Sequence, residues 1–236
     1  MKRFFIGLLA LTMAFACHRP ASGNFSADEI SLIRQADSIM KVLTIEDSLD
    51  LAVLRAVSCD FSAEALLSED FARLSELMVA TVTHPSQDGV GIAGPQVGLN
   101  RRVVAVQRFD KEPVMNASGK LDHPFEVYPN IRIVCLSDST AYGAEGCLSV
   151  PDMRADVLRS TEVVIEYADL QQLKENRLCL LPHANSSNPL KNRALSNLNP
   201  AGGDIPMILD TISGFTAVIF QHEIYHLEGI LYIDRL

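Results

Sequence analysis

Gln221-His222-Glu223-Ile224-Tyr225-His226-Leu227-Glu228-Gly229 is the stretch that decides how this chain is read. Histidines four residues apart stand about one helical turn from each other on a single face, so both imidazoles reach one metal ion. The glutamate between them reaches a metal-bound water as a proton acceptor. Phe215–Phe220, just before, is apolar on nearly every side, which places the helix inside the core rather than on its surface. Two histidines and a glutamate buried there need partners, and a metal with its water supplies them. The pattern predicts a helix from Asp210 to Glu228, stopped by Gly229.

Two ligands leave a third to find. A metzincin-type protease would carry another histidine at position 232, where this chain has Tyr232, and Asp234 lies too near to fold back onto the ion. The third ligand therefore comes from upstream, among Cys59, Cys135, Cys147, Cys179, His84, His123 and His183. Cys135 alternates with apolar residues in a strand and reads as a small core residue. Cys179 lies in the apolar run Leu178–Leu181. Cys147, in Glu145-Gly146-Cys147-Leu148-Ser149, follows a turn-like stretch and precedes Pro151. A cysteine on such a bend presents its sulfur and the next backbone N–H to a pocket. A thiolate, two imidazoles and a water make a four-coordinate site with an open catalytic position.

Outward from these motifs, Ser26-Ala27-Asp28-Glu29 is a capping box, and Ile30, Ile33, Ala36, Met40 and Leu43 follow at helical spacing. This predicts an amphipathic helix over residues 27–45. A second helix is predicted from Glu69 to Thr83, and strands at Val103–Val106, Ile131–Leu136 and Val163–Tyr167. From Leu173 to Asp204 the periodicity fails among Asn, Ser, Pro and Gly, as in a surface insertion. The expected fold class is α+β: helices first, then a strand-rich middle packed around a buried C-terminal metal-binding helix.

Lys2 and Arg3, the uncharged run Phe4–Phe15 and the small-x-small Ala14-Phe15-Ala16 read as a secretory signal, since the run is too short to span a bilayer. Cleavage after Ala16 would leave Cys17 at the new N-terminus, which resembles a bacterial lipoprotein and implies a possible membrane attachment through lipidated Cys17. The expectation is an extracytoplasmic, membrane-anchored protein, or a cytoplasmic one if the leader is misread. The domain reading is a signal at 1–16, a linker and N-terminal helix at 17–45, and a catalytic domain at 46–236 with an insertion at 173–204. The full chain has 20 Lys+Arg against 29 Asp+Glu, a net charge of −9. Removing Lys2 and Arg3 makes it 18 − 29 = −11. No basic cluster offsets this acidity, so nucleic acid is excluded as a partner. The four cysteines beyond Cys17 show no disulfide framework, and a domain of this length needs no staples.

Taken together, the motifs resemble the peptide deformylase family. Its three motifs occur in order as Gly89-Val90-Gly91-Ile92-Ala93-Gly94-Pro95-Gln96, Glu145 to Ser149, and Gln221 to His226. Weaker likeness extends back to Val42 and forward across Val150–Leu170. The resemblance implies a deformylase-like fold and a hydrolase that removes the formyl group from N-formyl-methionyl peptides. It implies Cys147, His222 and His226 as ligands of one divalent metal, Fe2+ or Zn2+, and Glu223 as general acid/base. It further implies Gln96 and the N–H of Leu148 at the oxyanion, Gly91 and Arg154 against the peptide, and Glu145 supporting the ligands. The chain departs from the family with Tyr225 for a usual Asp that pairs with an Arg matched by Arg159, Gly94 for Ala and Val218 for Arg. Two other readings are an exported hydrolase of the same fold acting on another amide or peptide, and a non-catalytic metal-binding lipoprotein.

Overall fold

The computed structural model describes residues 23–116, 119–180 and 205–236; the expected signal at 1–16 and most of the expected insertion, residues 181–204, lie outside the described residues. In chain order, helices α1 (Ala27–Gln35), α2 (Ser48–Leu54), α3 (Ala63–Leu66) and α4 (Glu69–Val82) come first. A strand-rich middle follows: β1 (Gly91–Ala93), β2 (Val103–Gln107), β3 (Val114–Met115), β4 (Leu121–Asp122), β5 (Phe125–Pro129), β6 (Arg132–Leu136), β7 (Thr140–Cys147), β8 (Val150–Ser160) and β9 (Glu162–Ala168). Helix α5 (Leu170–Leu180), strand β10 (Met207–Ser213) and helix α6 (Gly214–Leu227) close the chain. This is the expected α+β class.

Antiparallel sheets β1-β2-β5 and β10-β9-β6 both pack against α6, and β7-β8 forms a separate two-stranded sheet. Phe220, Ile224, Ala217 and Ile219 of α6 pack with Val104, Val106, Tyr128 and Ile165 of the sheets, so the helix is a core element. On the other side of the first sheet, α1 and α4 bury Ile33, Leu74 and Met78 against Ile92, Val103 and Ala105. Each methyl-rich side chain withdrawn this way contributes roughly 1.5–3 kcal/mol.

The helix expected over 27–45 ends at Gln35, with Ala36 as its C-cap. Arg73 of α4 donates to the carbonyls of Ile33 and Ala36 at 3.1 and 2.5 Å and so satisfies the helix end. The chain then bends at 37–39 and continues without regular structure, held by Met40 N–H to Thr81 Oγ1 (2.8 Å), Leu43 N–H to the Gln96 carbonyl (2.8 Å) and Ile45 N–H to the Ser149 carbonyl (2.9 Å). Met40 and Leu43 are buried as expected, but from an irregular segment that is hydrogen-bonded to residues of two site motifs, Gln96 and Ser149. Ile33 and Met40 of this N-terminal stretch, with Phe25 packed against them, share a core cluster with α4 and the first sheet.

Arg101 makes the clasp at this end. Fully buried, it spends all five N–H groups, on Glu29 Oε1 (2.6 Å) and Oε2 (2.8 Å) and on the carbonyls of Gly23, Asn24 and Asp60. Its guanidinium also lies over the Phe25 and Phe61 rings.

Three further expectations need correction. Asp210–Ser213 is not helical: Met207–Ser213 pairs with β9, Asp210 opposite Ile165 and Ile212 opposite Val163, and α6 begins only at Gly214. Residues 173–180 are not irregular, because Asp169 caps a helix that buries Leu173 and continues to Leu180. Cys135 is exposed rather than in the core, since a bulge between Ile133 and Cys135 breaks the alternation.

Candidate active site

Gln221 fixes α6 just before the histidines. Its Nε2 donates to the carbonyls of Ser160 (2.8 Å) and Ala217 (3.0 Å), and its Oε1 accepts from the Ser160 N–H (3.1 Å). Past the histidines, Glu228 pairs with Arg102 at 2.7 Å. Gly229 then ends the turn at φ +72°, where a Cβ would strike the Arg55 carbonyl.

The two histidines converge with Cys147, whose strand β7 ends beside the helix. Cys147 Sγ lies 3.2 Å from His226 Nε2, which lies 3.3 Å from His222 Nε2, and all three ligand atoms fall within 4.8 Å of one another. Around a tetrahedral ion with bonds of about 2.0 Å to nitrogen and 2.3 Å to sulfur, ligand atoms stand roughly 3.3–3.6 Å apart. The thiol and two imidazoles therefore fit a single divalent metal.

Glu145 organises this cluster. Its Oε2 contacts His222 Nδ1 at 2.8 Å, which leaves Nε2 to face the other donors. Arg159 grips the same carboxylate with Nε at 2.7 Å and Nη2 at 2.8 Å. Burial alone would raise the Glu145 carboxyl, but the Arg159 and His222 hydrogen bonds hold it down at about 2. Burial opposes a charge on His222, yet hydrogen bonds to Cys147 and Glu145 push it up to about 10. Burial drives His226 the other way, well below the ordinary histidine range.

Glu223 points into the pocket from the same helix. Burial pushes its carboxyl up to about 7, near the value that suits proton transfer at neutral pH. Its Oε2 has no hydrogen-bond partner among the described residues. A Cβ at Gly91 would stand 2.5 Å from Glu223 Oε1, so only glycine lets β1 approach this carboxyl.

Gln96 faces the cluster from the short helical turn after β1. Its Oε1 accepts from the Ala93 N–H at 2.8 Å, which turns Nε2 towards Cys147 Sγ (3.5 Å) and Ser149 Oγ (3.3 Å). A cavity of about 750 Å³ is lined by Gly91, Gln96, Cys147, Leu148, Arg154 and Glu223, among others, with His222 at its base. Every predicted site residue except His226 lines it, and His226 completes the donor cluster beneath. Of the other candidates for the third ligand, Cys59, Cys135, His84 and His123 form no such cluster; the side chains of Cys179 and His183 lie outside the described residues.

Two supporting residues escaped the sequence reading. Tyr232, noted only as the place where a third histidine is missing, stacks on His222 at 5.9 Å and 25°, and its hydroxyl donates to the Met153 carbonyl at 3.0 Å. Ser149, two residues from Cys147, receives the Gln96 amide and ties residue 45 to the site. Its place inside the Glu145–Ser149 motif was the available signal.

The sequence matches the family described as polypeptide deformylase over residues 39–178 and 206–236. Peptide deformylase 2 of Vibrio vulnificus is 32% identical over 199 residues, covering 84% of this chain and 87% of that protein. The peptide deformylase of Leptospira biflexa is 29% identical over 199 residues, covering 84% and 88%. The Met-Ala-Ser-bound crystal structure of a class I type b peptide deformylase from Acinetobacter baumannii superposes with a TM-score of 0.59 at 28% identity, over 84% of this chain and 98% of that one.

Proposed function

Since the chain belongs to the polypeptide deformylase family, hydrolases of the formyl amide bond, we propose that its pocket deformylates N-formyl-methionyl peptides using one divalent metal held by Cys147, His222 and His226. The observation that carries this reading is the meeting of those three donors with the buried Glu223 carboxyl at one cavity. Bound there, Fe2+ or Zn2+ supplies Lewis acidity, which lowers the pKa of water from 15.7 to about 7 and polarises a formyl carbonyl.

The chain's own groups do the rest. Glu223 takes a proton from the attacking water as its oxygen bonds the formyl carbon, then returns it to the amine nitrogen as the C–N bond breaks. Formate and a free amino terminus leave. The Gln96 amide and the Leu148 N–H donate to the oxygen as it gains negative charge, each worth about 3–4 kcal/mol by analogy with other oxyanion donors. Gly91 leaves the peptide backbone room beside Glu223, and Arg154 meets the chain beyond the methionine. The product-like Met-Ala-Ser held by the Acinetobacter relative supports a linear peptide as occupant.

The signal-like sequence at residues 1–16, followed by Cys17, supports an extracytoplasmic place for this chemistry, with membrane attachment through lipidated Cys17. Zinc, which has no redox chemistry, suits an oxidising compartment better than ferrous iron. Formate released from formyl-Met-Ala-Ser, against none from acetyl-Met-Ala-Ser as acetate, tests the proposal. Failure to release formate from the formyl peptide by metal-loaded protein would end it.

A further inference from the structure

We propose that the free edge of β7 extends the pocket into a downstream peptide subsite, where the Tyr142 ring, backed by Leu158, receives an apolar side chain of the substrate. The inference rests on the deformylase reading and adds a specificity to it. Strand β7 pairs only with β8 among the described residues, so its other edge keeps its backbone groups unpaired. An extended peptide satisfies such an edge by adding a strand to it. The edge begins at the chemistry: Ala144, Glu145, Gly146 and Cys147, the last four residues of β7, all line the cavity.

The pleat says what lies along it. In an antiparallel pair, opposed residues share a face. Glu145 and Ala155, Gly143 and Val157, and Ala141 and Arg159 are the opposed pairs of one face, and Glu145, Val157 and Arg159 are buried. The outward pairs are Gly146 with Arg154, Ala144 with Asp156, and Tyr142 with Leu158. Arg154, Gly146 and Ala144 belong to the cavity, so the outward face is continuous with it. On β7 this face stays low at Gly146 and Ala144 and rises first at Tyr142. That ring is 74% exposed and Leu158 opposite is 41% exposed.

A strand advances about 3.3 Å per residue, so the five steps from Cys147 to Tyr142 cover about 17 Å. A peptide whose formyl-methionine sits at Cys147 therefore brings its fifth or sixth residue beside Tyr142. The ring offers that residue a flat apolar contact, with Leu158 closing the far side. An aromatic or branched aliphatic side chain fits there, and a small polar one gains nothing.

The experiment compares kcat/KM for formate release by the metal-loaded full chain from formyl-Met-Ala-Ser-Gly-Phe-Phe, formyl-Met-Ala-Ser-Gly-Ser-Ser and formyl-Met-Ala-Ser. The Phe-Phe peptide is expected to exceed the Ser-Ser peptide by about three- to tenfold, the range of an aromatic contact. Tyr142→Ser should erase that ratio while turnover of the tripeptide holds. Leu158→Ser, expected to reduce the ratio in part, provides an independent variant if Tyr142→Ser misfolds. Equal values for the two hexapeptides, or a ratio that survives both substitutions, would overturn the subsite and leave the deformylase reading standing. No formate from the tripeptide would remove both.

Discussion

The guanidinium of Arg159 lies 5.1 Å from the centroid of the Tyr225 ring while it grips Glu145, and Glu145 in turn holds His222. Arg235 covers the same ring at 4.6 Å. The sequence places Tyr225 where a carboxylate is usual, and a neutral phenol cannot pair with an arginine as a charge does. The ring instead offers its π face, and Arg159 Nη1 has no hydrogen-bond partner among the described residues. Tyr225→Phe keeps that face and should leave turnover within about tenfold, whereas Tyr225→Leu should weaken metal retention by up to about tenfold through Glu145 and His222. Titration against a competing chelator checks this; equal affinities for both variants would mean that the stack does not support the ligands.

Cys147→Ser should lose most of the metal, because a neutral hydroxyl is a poor substitute for a thiolate. Elemental analysis after purification reads it directly. Full occupancy in the variant would remove Cys147 from the ligand set. Glu145→Gln should raise the metal dissociation constant by about 10–100-fold, the usual cost of losing a ligand's supporting partner.

The Arg101–Glu29 clasp predicts a pH-dependent stability. Burial would raise the Glu29 carboxyl, but hydrogen bonds from Arg101 and Ser26 hold it below its ordinary value. A depressed folded pKa contributes stability that is complete above the unfolded value, about 4.3, and is lost as pH falls through the folded one. Glu29→Gln should therefore unfold more easily than the parent at neutral pH, with the gap closing in acid. Arg101→Met, which strands a partly buried carboxylate, should cost about 3–5 kcal/mol near pH 7. Urea unfolding across pH checks both, and a gap that widens in acid would contradict the sign.

If the extracytoplasmic proposal built on the run Phe4–Phe15 and on Ala16-Cys17 holds, mass spectrometry of the protein from its native membrane should show an acylated Cys17 at the amino terminus. An intact Met1 in a soluble cytoplasmic fraction would refute the extracytoplasmic proposal.

What could be read from the sequence was local. His222, Glu223 and His226 lie on one helix, so their spacing announced their geometry, and the apolar run before them announced burial. Cys147 needed the motif around it, since nothing in its spacing from His226 shows that β7 ends beside α6. Ala36, Met40 and Leu43 fit a helical period, yet their segment is not helical because Thr81 and Gln96, far away in sequence, take the N–H groups of Met40 and Leu43. Asp210 and Ile212 stand in sequence next to the final helix, and their pairing with β9 leaves no local mark that separates them from it. Cys135 leaves the face that its alternation predicts because a bulge shifts the two-residue period without changing composition.

The central claim is that Glu223, buried at this donor cluster, moves the proton that hydrolysis of a formyl amide requires. Steady-state formate release from formyl-Met-Ala-Ser by the parent and by Glu223→Ala, at equal measured metal content, tests it most directly. The account predicts turnover by the parent and a loss of at least about 10²–10⁴-fold in the variant, the usual contribution of general acid–base catalysis. Comparable rates in the two proteins would contradict it.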